Sequence, residues 1–150
     1  MRLFELKSHL ARPTARCFIA GLSLMGLSAS AADIVVIASA SSGVSQLSKD
    51  QVSNLFLGKS TALPSGGKAI LIDQPDSSPM RDAFYSKVTG KSASQVKSTW
   101  AKLSFTGKGT PPNEGSGNDD IKKQIAGNPN MLGYLDKTAL DSSVKVVFTP

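Results

Sequence analysis

Apolar and polar positions along the chain separate into two periods. Asp33-Ile34-Val35-Val36-Ile37-Ala38 is a β-branched and nearly continuous apolar run, the pattern of a central strand covered on both faces. Ala69 to Ile72, Leu132 to Leu135 and Val144 to Phe148 repeat that signal, so strands are predicted near 33–38, 69–73, 132–135 and 144–148. Between them the period lengthens to that of a helix. Ser48-Lys49-Asp50-Gln51 reads as a capping box, with Leu47 and Val52 placed as a hydrophobic staple; Val52, Leu55 and Phe56 then form the stripe of a short helix ending at Gly58. A second helix is predicted from Ser77 or Ser78, with Pro79 in its first turn and Met80, Ala83, Phe84 and Val88 on one face, stopped by Gly90. A third starts at the capping box Ser92 to Gln95 and buries Val96, Trp100 and Leu103. Thr106 to Gly117, rich in glycine and containing Pro111-Pro112, reads as a long loop. Asn118 is predicted to cap a last short helix that Gly127-Asn128-Pro129 ends. Strands alternating with helices predict an α/β fold with a mixed sheet flanked by helices.

The first 32 residues follow a different logic. Arg2, Lys7, Arg12 and Arg16 form a basic start, Phe18 to Leu27 an apolar core and Ser30-Ala31-Ala32 a small-residue cleavage site. This is the pattern of an export signal, which predicts a periplasmic protein of a Gram-negative-type cell, cleaved near Ala32, with residues 33–150 as its one domain. The apolar core of about ten residues is half the roughly 20 needed to span a bilayer. Residues 14–16 before Cys17 are not the small, apolar context of a lipidation site.

Setting that segment apart changes the chemistry available. His9 and Cys17, the one histidine and the one cysteine, lie within it. Residues 33–150 therefore lack the parts of a Ser-His-Asp triad, a Cys-His nucleophile or a Cys/His zinc site. Four of the 17 Lys and Arg and one of the 11 Asp and Glu also fall before residue 33, leaving 13 against 10 and a net charge of +3 instead of +6. That mild, dispersed charge gives no nucleic-acid-binding block. The acidic pairs Asp73 with Asp76 and Asp119 with Asp120 could in principle serve acid/base catalysis or bind Mg²⁺, but a helix first turn accounts for the second pair and a proline turn for the first. No enzyme activity and no cofactor or metal is expected.

Three segments in order carry a resemblance: Leu55-Phe56-Leu57-Gly58-Lys59, then Asp76-Ser77-Ser78-Pro79, then Gly117-Asn118-Asp119-Asp120 leading to Leu132-Gly133-Tyr134. Together they resemble the second lobe of the phosphate ABC transporter substrate-binding proteins, within the type II periplasmic binding protein superfamily. The first lobe has no counterpart. The resemblance implies a single lobe that binds phosphate or another small oxyanion without catalysis, possible partners being an ABC transporter permease, a membrane sensor or a second copy. Aligned on the family's Arg-x-Asp-Gly-Ser-Gly-Thr turn, Asp76 and Ser78 are retained, Gln74 replaces the arginine, and Ser77, Pro79 and Met80 replace Gly, Gly and Thr. It implies a site of Gln74, Asp76, Ser77 and Ser78, with Arg81 as a substitute cation, and it implies that Gln74→Arg would strengthen binding. The alternative is a single-lobe interaction or sensor module with no small-molecule ligand.

Overall fold

The computed structural model describes residues 33–150; the predicted export signal lies outside the described residues. Five strands form one mixed sheet: β1 (Ile34–Ser39), β2 (Ile70–Asp73), β3 (Asn113–Glu114), β4 (Met131–Asp136) and β5 (Val144–Phe148). Their order across the sheet is β3-β2-β4-β1-β5. β1 is antiparallel to β4 and to β5, with Ile37 opposite Gly133 on one side and Val146 on the other. β2 runs parallel to β4 and to β3.

The helices lie on both faces, as the continuous apolar character of β1 requires. Ile34, Val36 and Ala38 face one cluster, built with α1 (Lys49–Phe56), α2 (Pro79–Thr89) and α3 (Ala93–Phe105). Val35 and Ile37 face the other, which includes Ile121 and Ile125 of α4 (Asn118–Ala126). β4 alternates in the same way, and Gly133 is its thin point. A Cβ there would come within 2.6 Å of Ile72 Cγ2 and 2.9 Å of Ile125 Cδ1, so the missing side chain lets α4 approach the sheet.

Local chemistry sets the helix ends. Ser48 and Ser92 each accept from the backbone N–H three residues on, and Gln51 and Gln95 reach back to complete both boxes. Gly90 ends α2 in the left-handed region at φ 70°. The larger face is bound by aromatic packing. Phe84 stacks on Tyr134 with ring centroids 3.7 Å apart, and Phe56 meets Phe84 edge-on at 5.0 Å. Trp100 is buried and donates its indole N–H to Phe56 O at 2.9 Å.

Four details differ from the sequence reading. Ala83 is exposed and Tyr85 takes the buried position beside Phe84, because the stripe of α2 turns toward β4. Leu103 is only half-buried. The long loop contains β3, two exposed residues that pair with Ile72 and Asp73 through backbone alone and so leave no apolar signature. Gly117 occupies the cap of α4, and Asn118 is its first helical residue. Among the described residues, no helix is long and apolar enough to cross a membrane.

Candidate functional site

The predicted site residues cluster where β2 hands the chain to α2. Asp73 is the last residue of β2, and the turn through Pro75 to Ser77 carries the chain to Ser78, the cap of α2. The Ser78 N–H donates to Pro75 O at 2.9 Å, which tightens that turn. Pro79 suits the first helical position, where its absent N–H would have had no helical acceptor. Unlike Ser48 and Ser92, Ser78 makes no side-chain capping bond. The hydroxyls of Ser77 and Ser78 have no hydrogen-bond partner among the described residues, and Ser77 is exposed.

Beneath this turn lies a buried polar knot centred on Asp73. Tyr85 donates its hydroxyl to Asp73 Oδ2 at 2.6 Å, Tyr134 donates to Oδ1, and the Gln74 N–H reaches Oδ1 at 3.0 Å. Arg81 Nε lies 3.4 Å from Oδ2 as a charge contact; that nitrogen is buried without a well-aligned acceptor. Arg81 and Tyr85 stand one turn apart on α2, which brings both to the same carboxylate. One side chain thereby ties β2 to β4 and α2. Burial pushes the Asp73 carboxyl up from its ordinary value, against the lowering effects of Tyr134, Tyr85 and Arg81. Burial, followed by the neighbouring Asp73 charge, pushes both tyrosine hydroxyls upward, which keeps them protonated donors.

The guanidinium of Arg81 is heavily engaged. Its Nη1 lies 2.6 Å from Asp76 Oδ1 and 3.3 Å from Glu114 Oε2, and donates to Gln74 O at 3.1 Å. Burial works against its charge, but Asp73 and Asp76 outweigh that and raise its pKa. Asp76 receives a second cation, Lys97 Nζ at 2.6 Å, and Lys97 is the first cause that lowers its pKa. Two cations therefore face three carboxyl groups, Asp73, Asp76 and Glu114.

The fold brings the Gln74 carbonyl and the side chains of Asp76 and Arg81 together and sets Ser77 and Ser78 beside them. It turns the Gln74 side chain inward. Gln74 is 3 % exposed, and its amide donates to Asn118 Oδ1 at 2.9 Å and to Tyr134 O at 3.1 Å. Those bonds tie the turn to α4 and β4, so an arginine there would enter a filled polar pocket. Tyr85, Tyr134, Glu114 and Lys97 were absent from the sequence-based site. The one signal for them was the Arg81/Tyr85 spacing; the rest are contacts between segments distant in sequence. Among the described residues, no cluster of three or more His, Cys, Asp or Glu could hold a metal.

The same architecture occurs in solved structures. A protein of Clostridium perfringens described as a phosphate ABC transporter substrate-binding protein, solved with bound phosphate, matches at 25% identity and a TM-score of 0.62, over 77% of this chain and 44% of its own. The chain has the fold of one lobe of a phosphate ABC transporter substrate-binding protein. An ABC-type phosphate transport receptor of Vibrio cholerae matches this lobe at 17% identity and a TM-score of 0.61, covering 77% of this chain and 45% of its own. A possible phosphate-binding protein of Planctomyces limnophilus matches at 13% identity and a TM-score of 0.57, with 77% and 40% covered. The lobe thus spans less than half the length of the structures that it matches, which are described as binding proteins or a transport receptor. No family model and no curated protein matches the sequence.

Proposed function

We propose that the chain is a non-catalytic, periplasmic solute-binding domain that holds phosphate or a related oxyanion at the start of α2. The observation that carries this reading is the single-lobe likeness to a substrate-binding protein whose structure holds phosphate. In the proposed site the Ser77 and Ser78 hydroxyls and the amides of Ser77 and Met80 donate to the anion, and Arg81 supplies positive charge from behind. Asp76 stands beside the anion and Gln74 positions the turn. Asp76 is an acceptor, so it favours an oxyanion that still carries a proton, such as hydrogen phosphate, over sulfate.

Magnitudes set the expected strength. A helix start contributes about 0.3–1 kcal/mol to an anion and a charge-assisted hydrogen bond about 1.5–3 kcal/mol, while millimolar affinity needs about 4 kcal/mol and micromolar about 8. With Arg81 shared among three carboxyl groups and one face of the site open, about millimolar affinity is expected. Calorimetry with phosphate tests this: weak saturable heat, smaller for sulfate and reduced by Ser78→Ala, supports the reading. Absence of heat at about 10 mM phosphate refutes it.

A second reading has its own support. The enclosure of Arg81 by Asp73, Asp76 and Glu114 favours a lobe that docks on a permease, a membrane sensor or a second copy without holding a small molecule. Export is part of either reading. Intact-mass analysis of the periplasmic protein is expected to show a chain beginning at or next to Asp33, and retention of Phe18 to Leu27 would contradict it.

A further inference from the structure

A cavity of about 510 Å³ opens at the opposite end of β2, between the last turns of α1 and α3 and the loop that precedes β3. Its volume lies in the range of small-molecule clefts, about 300–1,000 Å³. Leu55, Leu71 and Trp100 supply apolar wall, Thr61 a hydroxyl, and Lys68 and Lys108 the charge. No Asp or Glu lines it. Lys68 and Lys108 are exposed, and their ammonium groups form no ion pair or hydrogen bond among the described residues.

The apolar wall is fixed before any ligand arrives. Trp100 is held by its bond to Phe56 O. Its ring is clasped by two glycines: a Cβ on Gly58, at φ 72°, would lie 2.9 Å from Trp100 Cη2, and one on Gly109 would lie 3.2 Å from Cζ3. Side chains at either position would crowd the ring, so loop backbone packs against it directly. A preformed apolar wall with two unpaired ammonium groups and no neighbouring carboxylate suits an amphiphilic anion.

We propose that this cavity is a second binding site, for a small organic carboxylate with an apolar body: the carboxylate sits between Lys68 and Lys108, the apolar part against Leu55, Leu71 and Trp100. The site is separate from the α2 start and does not depend on phosphate binding there. The probe is 3-phenylpropionate, titrated into protein expressed from the full-length chain and followed by NMR of the Trp100 indole N–H, the only indole in the chain. Saturable shifts of that signal and of Thr61 and Leu71 are expected. The neutral analogue 3-phenylpropanol is expected to bind roughly fivefold more weakly, and Lys68→Glu with Lys108→Glu to weaken the acid roughly tenfold. Both substitutions are at exposed positions, and an unchanged spectrum of the free protein checks the fold. Equal binding of acid and alcohol, equal binding by the charge-reversed variant, or no movement of the indole signal up to about 10 mM probe would each overturn the proposal. Inorganic phosphate serves as the control: its shifts are expected at Ser77 and Ser78, so failure of one site is distinguishable from failure of the other.

Discussion

The two ends of β2 solve opposite electrostatic problems with similar materials. At the carboxyl end, Asp73 is buried, and two tyrosine hydroxyls, the Gln74 backbone and the Arg81 charge converge on it. At the amino end, Lys68 and Lys108 stand unpaired beside an open apolar wall. Charge is structural at the first end and available at the second. A cation already surrounded by carboxylates has little attraction left for an added anion, whereas an unpaired lysine keeps its own. The proposed phosphate site lies at the first end, and the free charge lies at the second.

Substitutions at each end separate these roles. Trp100→Ala removes the wall of the amino-end cavity together with a buried indole bond, and is expected to destabilise by about 3–5 kcal/mol in denaturant unfolding. A loss below about 1 kcal/mol would show that the wall is not part of the core. At the carboxyl end, Asp73→Asn replaces a carboxylate by a group with one acceptor oxygen facing two tyrosine donors, and is expected to cost about 1–3 kcal/mol. Gln74→Arg is expected to cost about 1–3 kcal/mol as well, through crowding and loss of the bonds to Asn118 and Tyr134. This cost stands against the gain in binding expected from sequence, because the residue at 74 faces inward. Stability gained together with tighter phosphate binding would restore the earlier expectation.

A pH series sharpens the contrast further. Burial raises the folded pKa of Asp73 above its ordinary value. Its contribution is therefore full below the unfolded pKa and is lost as pH rises through the folded one. The stability advantage of the wild type over Asp73→Asn is expected to be larger near about pH 4 than near about pH 7, as read from paired urea titrations. An advantage that shrinks on acidification would mean that the tyrosines and Arg81 outweigh burial. The smallest effect is expected at the helix cap. Ser78 makes no capping bond, so Ser78→Ala should change stability by less than about 0.5 kcal/mol, while Ser92→Ala, which breaks a capping box, should cost about 1 kcal/mol.

Elements governed by local rules were legible from sequence. The β-branched runs gave four strands close to their observed bounds, both capping boxes form, and Pro79 and Gly90 bracket α2 as expected. The α2 stripe was only partly legible: Phe84 and Val88 are buried, but Tyr85 replaces Ala83 because its hydroxyl has a buried acceptor in Asp73. The site was read less completely. Asp76, Ser77, Ser78 and Arg81 are neighbours in sequence and remain neighbours in space. The inward turn of Gln74 depends on Asn118 and Tyr134, and the enclosure of Arg81 depends partly on Glu114. These partners arrive from α4, β4 and β3, and no local pattern around residue 74 or 81 announces them.

The α2 start is proposed to hold phosphate weakly through its own amides and hydroxyls. NMR titration of the protein with phosphate measures this residue by residue. Saturable shifts are expected at Ser77, Ser78 and Met80 with a dissociation constant of about 1 mM, and no comparable shifts at Lys68 or Lys108. Shifts confined to the amino-end cavity, or none anywhere up to about 10 mM phosphate, would contradict it.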